Sequence, residues 1–250
     1  MVTFDIRDVT DEVAQKFESE FFLRKKTLET YLASSNFSQS FSGNIHVEVS
    51  EYTPPVSQAL IPAWKGCRGR MKFAALRARQ GNAAILHELA HVYAPNQVRF
   101  LAEGYAVYLE EKIGNINAYP TFGSSIEARL RDTSLSALGL VKLDDFDRVP
   151  VGTGVWLGDN VGLNASIPAT SERRAYSYLV SASFVKFVVD SYGLDKFHAL
   201  YELTPLTPAA STQADSGRYK NVFGKFLSAL QIEWLGWLES KNLPLHAPGA

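Results

Sequence analysis

One stretch constrains this chain more than any other: Ile85-Leu86-His87-Glu88-Leu89-Ala90-His91, an H-E-x-x-H pattern inside an apolar run. Residues four apart on a helix share a face, one turn apart. A helix here therefore directs the imidazoles of His87 and His91 to one point. Glu88 stands about 100° round the helix from His87, placed to hold a water on an ion at that point rather than to ligate it. Two imidazoles, a carboxylate from elsewhere and a water make up an open catalytic zinc set. Zinc lowers the pKa of such a water toward ~7, where a neighbouring glutamate can take its proton. A helical core without metal is the competing explanation, because three fixed residues also recur by chance. Against it stands the setting: Ile85, Leu86, Leu89, Ala90 and Val92 imply a helix buried nearly all round, where two histidines and a glutamate are costly unless satisfied.

Local signals agree with a helix. Gly81-Asn82 offers a break and an N-cap, and Ala83, Ala84, Leu86, Leu89 and Ala90 are strong helix formers. Pro95 ends it by removing a donor and restricting Ala94.

The chain of 250 residues suits one metal-binding domain with two lobes, sheet-containing over about 1–94 and helical over about 95–250. A formal net charge of -1, without long basic or acidic runs, argues against nucleic acid or an anionic membrane surface as partner. No apolar stretch reaches the ~18 residues of a membrane span. Met1 to Asp8 lacks the basic-then-apolar pattern of a signal peptide, so a cytoplasmic or a processed secreted protein is expected. The single Cys67 excludes an internal disulfide and a cysteine zinc site.

Asp11 to Ser34 reads as an amphipathic helix through Val13, Phe17, Phe21, Leu28 and Leu32, and is expected to cover a sheet. Asn44 to Tyr52 alternates apolar and polar, as a half-buried strand does, with His46 on the solvent side. Pro62 to Arg68 reads as loop. Gly69 to Leu76 is a second strand, either a sheet edge open to an extended peptide or an ordinary sheet strand. Past Pro95, Arg99 to Lys112 reads as a second helix stopped by Gly114. Glu103 interrupts its apolar run, and a buried carboxylate wants a cation. Glu110 lies seven residues on, hence on nearly the same face.

The pair His87-Glu88-Leu89-Ala90-His91 and Leu101-Ala102-Glu103-Gly104-Tyr105-Ala106-x-Tyr108-Leu109-Glu110 resembles the gluzincin metallopeptidases, in their aminopeptidase-like and peptidase MA-like branches. The resemblance implies zinc held by His87, His91 and Glu103, with Glu88 as general base. It departs in spacing. The aminopeptidases place 18 residues before the third ligand, which would select Glu110, whereas 11 separate His91 from Glu103 here. The local motif favours Glu103, because loops between helices shorten readily while a buried face does not. The rival pattern with a third histidine fails at Ala94 and Gln97.

Glu172 to Tyr192 reads as a third strong helix, and Tyr178, Phe184 and Tyr192-Gly193 fit the register of a later helix in that family. The resemblance implies Tyr178 as donor to the oxyanion, with Tyr176 next. The alternative is that Tyr178 packs in the core. Ser124 to Arg131 reads as a short helix, and Pro150 to Pro168 as a long loop able to serve as a lid. Arg218 to Ser240 reads as one amphipathic packing helix. His198 is expected to be structural, and His246 lies in a proline-rich tail. The family's aminopeptidases grip a free amine with a glutamate on a Gly-x-Met-Glu-Asn strand. Gly69-Arg70-Met71-Lys72-Phe73 carries no acid, which argues against simple aminopeptidase action.

The expectation is thus an α+β, helix-dominated, zincin-like fold, with a small sheet beside the H-E-x-x-H helix and a C-terminal helical lobe. The expected function is Zn2+-dependent hydrolysis of peptide or protein substrates. The alternative is a non-catalytic binding or scaffold protein that retains the zinc site.

Overall fold

In a computed structural model, residues 1–35, 37–38, 41–52, 57–60, 68–132, 143–147, 171–206, 215 and 217–241 are described. The chain mixes helices with one small sheet and groups into two compact units, Met1–Pro95 with Leu109–Ser124, and Asn96–Tyr108 with Ser125–Ala250.

The first unit holds the sheet: β1 (Val2–Ile6), β2 (Ile45–Ser50), β3 (Gln58–Leu60) and β4 (Arg70–Ala74), in the order β1-β2-β4-β3. β1, β2 and β4 run parallel, and β3 closes one edge antiparallel to β4, with Ala59 opposite Met71. The period-2 pattern of β2 is realised as expected: Ile45, Val47 and Val49 are buried and His46 is exposed. His46 Nδ1 meets Thr3 Oγ1 at 3.0 Å on that solvent face.

α1 (Asp11–Ser34) has the expected bounds. Thr10 caps it by accepting from Val13 N, and Asp11 and Glu12 suit its positive end. Its Phe17 and Phe21 meet Phe73 and Phe4 of the sheet edge-on, at centroid distances of 5.3 and 5.4 Å. One expectation needs correction. The segment Gly69–Leu76 is not one strand, because β4 ends at Ala74 and α2 (Ala75–Arg79) begins at once. Of the two readings of this strand, the ordinary sheet strand holds: β4 lies between β2 and β3, and the edge is β3, in a proline-flanked stretch with too few residues to show an alternation.

α3 (Ile85–Tyr93) carries the H-E-x-x-H pattern and ends ahead of Pro95 as expected. It starts later than Gly81-Asn82 suggests: its N-cap is Ala84, which offers no side-chain bond. α4 (Arg99–Ile113) follows, and its last turns, Leu109 to Ile113, belong to the first unit.

The second unit contains the earlier part of α4 together with α5 (Ile126–Asp132), α6 (Leu143–Asp147), α7 (Ser171–Tyr192), α8 (Leu194–Glu202), α9 (Arg218–Phe223) and α10 (Leu227–Ser240). α7 is its axis. Phe184 is fully buried against Phe100, Phe187 and Trp234, and Trp234 Nε1 donates to Ser183 Oγ at 3.2 Å. The expected single helix from Arg218 to Ser240 is two helices, because Gly224 takes the left-handed conformation (φ 71°) and ends α9. The stretch Pro150 to Pro168, read as a possible lid, and His246 lie outside the described residues. Among the described residues, no helix is long and apolar enough to cross a membrane.

Candidate metal centre

α3 sits where its composition demands: every residue from Ile85 to Tyr93 is buried except His91, which is half-buried. Spacing by four places the imidazoles of His87 and His91 side by side, with Nε2 to Nε2 at 3.1 Å and rings nearly perpendicular. A tetrahedral zinc with nitrogens at ~2.0–2.1 Å would hold them roughly 3.3 Å apart. The pair fits that ion with almost no adjustment. The same separation also suits an N–H···N hydrogen bond between two neutral imidazoles, so geometry alone admits both.

Glu88 stands about 100° round the helix from His87. Its Oε2 accepts from the backbone N–H of Ala59, at 2.5 Å, in the edge strand β3. Glu88 is only 5% exposed, and this bond orients it. Sequence reasoning missed this partner, since β3 was not foreseen.

The two acidic residues of α4 have different surroundings. Glu110 is buried, and its Oε2 accepts from the backbone N of His87 at 2.7 Å while Oε1 accepts from Asn115 N at 3.2 Å. Burial pushes its carboxyl up to about 8, against the two backbone donors and the charge of Arg24, which pull it down. Its contacts are to backbone, not to the imidazole nitrogens. Glu103 faces Arg99, one turn before it, across 3.5 Å, with side chains 22% and 13% exposed for Arg99 and Glu103. His87, His91 and Glu103 are residues whose side chains could hold a metal ion. Two neutral nitrogens and one anionic oxygen form a donor set suited to zinc.

Tyr178 is half-buried on α7. α7 and α4 pass very close at Ser181 and Gly104: a Cβ on Gly104 would stand 2.6 Å from Ser181 O. Tyr178 lies one turn before that crossing, and Gly104 follows Glu103 directly. Tyr176, the second tyrosine considered, is buried at 1% exposure, and burial raises its phenol above the ordinary range. His198 is buried, with its Nε2 2.7 Å from Tyr105 Oη, in a cluster with Phe197 and Tyr201. That environment is in keeping with a structural histidine.

At the other end of α3, Tyr93 Oη donates to Glu29 Oε1 of α1 at 2.6 Å, and Lys25 Nζ reaches the same oxygen at 2.7 Å. Burial pushes the Glu29 carboxyl up, but the bonds from Lys25 and Tyr93 outweigh it and leave the group below its ordinary value. α3 is thus tied at its C-terminal end to the helix that covers the sheet. No protein-family model matches this chain, and no curated protein matches it either.

Proposed function

We propose that this protein is a zinc-dependent hydrolase of peptide bonds with a gluzincin-like site. The observation that carries the proposal is the convergence of His87 Nε2 and His91 Nε2 to 3.1 Å, beside the buried Glu88. His87, His91 and Glu103 would hold the metal. Bound zinc would supply a water of lowered pKa and polarise the scissile carbonyl. Glu88 takes the proton of the attacking water and returns it to the leaving amine. The Ala59 N–H fixes the plane of that carboxylate, so the base is oriented before substrate arrives. Tyr178 would donate to the developing oxyanion. The crossing of α7 over α4 at Gly104 supports this role by bringing its helix turn up to the residue after Glu103. The mixed sheet, with an antiparallel edge strand bonded to the H-E-x-x-H helix, supports a zincin-like fold.

One observation favours a second reading. The bond from Ala59 gives Glu88 a structural job that a non-catalytic zinc protein would also use. Turnover separates the two. Purified protein loaded with one equivalent of Zn2+ is incubated with a proteome-derived peptide mixture, with and without chelator, and new termini are mapped by mass spectrometry. Chelator-sensitive cleavage is expected. A zinc-loaded protein that cuts nothing would support the binding protein instead.

A further inference from the structure

The first turn of α3 is missing the cap that a helix start normally carries. Four N–H groups at a helix N-terminus have no partner within the helix, and a Ser, Thr, Asp or Asn at the N-cap usually satisfies one. Here the N-cap is Ala84, which makes no side-chain bond, and the N–H of His87 lies in the first turn of this buried helix. The acceptor comes from far away in sequence. Glu110 of α4 places Oε2 2.7 Å from His87 N, and its Oε1 takes Asn115 N at 3.2 Å. Asn115 in turn donates through Nδ2 to Gly81 O at 2.9 Å, so the loop before α3 and the loop after α4 are bound together. Space for the carboxylate is reserved. A Cβ at Gly114 would stand 2.7 Å from Glu110 Cα and 2.9 Å from its Cδ.

We infer that Glu110 is a positioning residue for the metal centre: it caps α3 at the backbone of His87 and so fixes where the His87 imidazole stands. This rests on the metal site proposed above. The held atom belongs to a ligand residue, and the imidazole hangs from the same Cα. If α3 slid or rotated at its start, His87 would move while His91, a turn further on, moved less. The 3.1 Å spacing of the two nitrogens would then change. Glu110 lies on α4, the helix that carries Glu103, and its bond ties the start of α3 to the last turns of α4 within the first unit. A carboxylate used only to stabilise the fold could accept from any buried N–H. This one accepts from a ligand's.

The test compares Glu110→Ala, Glu110→Gln and Gly114→Ala with the unaltered protein. Zn2+ affinity is read by competition with a chromophoric chelator, and ligand geometry by the visible absorption of the Co2+-substituted protein. Folding is checked by far-UV circular dichroism. Glu110→Ala should bind Zn2+ about 10–100-fold more weakly, the usual effect of losing an outer partner of a ligand, with an altered Co2+ spectrum. Glu110→Gln should recover most of the affinity, since its amide oxygen can still accept from His87 N. Gly114→Ala keeps the carboxylate but pushes it aside, so it should weaken binding as well, even if the alanine variant at 110 fails to fold. A folded Glu110→Ala protein with unaltered Zn2+ affinity and Co2+ spectrum would overturn the inference and leave the metal site standing. A glutamine variant as weak as alanine would also overturn it, by making Glu110 a ligand. Unaltered protein that binds no Zn2+ would overturn the metal site, and this inference with it.

Discussion

Replacing Glu88 by Gln separates its two jobs. In the structure its Oε2 accepts from Ala59 N at 2.5 Å, and the residue is 5% exposed. Gln keeps the length and one acceptor oxygen, so the bond to β3 survives in neutral form. A charged acceptor contributes ~1.5–3 kcal/mol and a neutral one ~0.5–1.5, so the substitution forfeits about 1 kcal/mol there. Removing a buried charge offsets part of that loss. Net stability should therefore change by no more than about 1 kcal/mol, and zinc content not at all. The rate should fall much further. Gln cannot take a proton, and loss of a general base costs ~10² to 10⁴ in rate. At 1.36 kcal/mol per decade, that is about 2.7–5.4 kcal/mol of transition-state stabilisation. Zinc by mass spectrometry, melting temperature and kcat/KM on a cleaved peptide should be measured on one preparation. Full activity in a zinc-loaded Glu88→Gln protein would refute the assignment of the base. A metal-free one would make Glu88 a ligand or a support of the ligand helix.

Two further outcomes follow from the packing. Gly104→Ala places a Cβ 2.6 Å from Ser181 O and 3.0 Å from Val185 Cγ2. Backbone on both sides cannot yield as a side chain tip can, so the cost should reach the upper part of the ~1–3 kcal/mol range for overpacking. At roughly 2–4 °C per kcal/mol, a melting scan would show it clearly; an unshifted transition would mean that α4 and α7 do not meet closely there. Glu29 is held below its ordinary value of 4.5, so its contribution to stability is present above that value and is lost as pH falls through the lower folded one. Tyr93→Phe removes one donor to Glu29. It should shrink the drop in melting temperature between neutral and acid pH, and an equal drop in both proteins would count against the Tyr93 contribution.

Much of this was legible in sequence because it is periodic or local. α1 could be bounded because Thr10 and the spacing of Phe17, Phe21, Leu28 and Leu32 act within one helix. The burial of α3 and its stop at Pro95 were legible for the same reason. What escaped is non-local or short. β3 has three described residues after a proline pair, too few for a pattern, yet its Ala59 supplies the partner of Glu88. Gly81-Asn82 looked like a cap because a cap was needed; the structure meets the need from Glu110, 23 residues after His87. The break at Gly224 was hidden because Phe223 and Leu227 continue the apolar face across it. Glu110 was visible as an acid near the right face. That it addresses a backbone N–H rather than an ion could be seen only in three dimensions.

The central claim is that His87 and His91 converge on a divalent metal. It is tested most directly by titrating metal-stripped protein with Zn2+ against a competing chromophoric chelator, alongside His91→Ala. One tight equivalent per chain is expected for the unaltered protein, and its loss in the variant. Equal binding by both, or none by either, would contradict the claim and leave the 3.1 Å contact as a hydrogen bond between two core histidines.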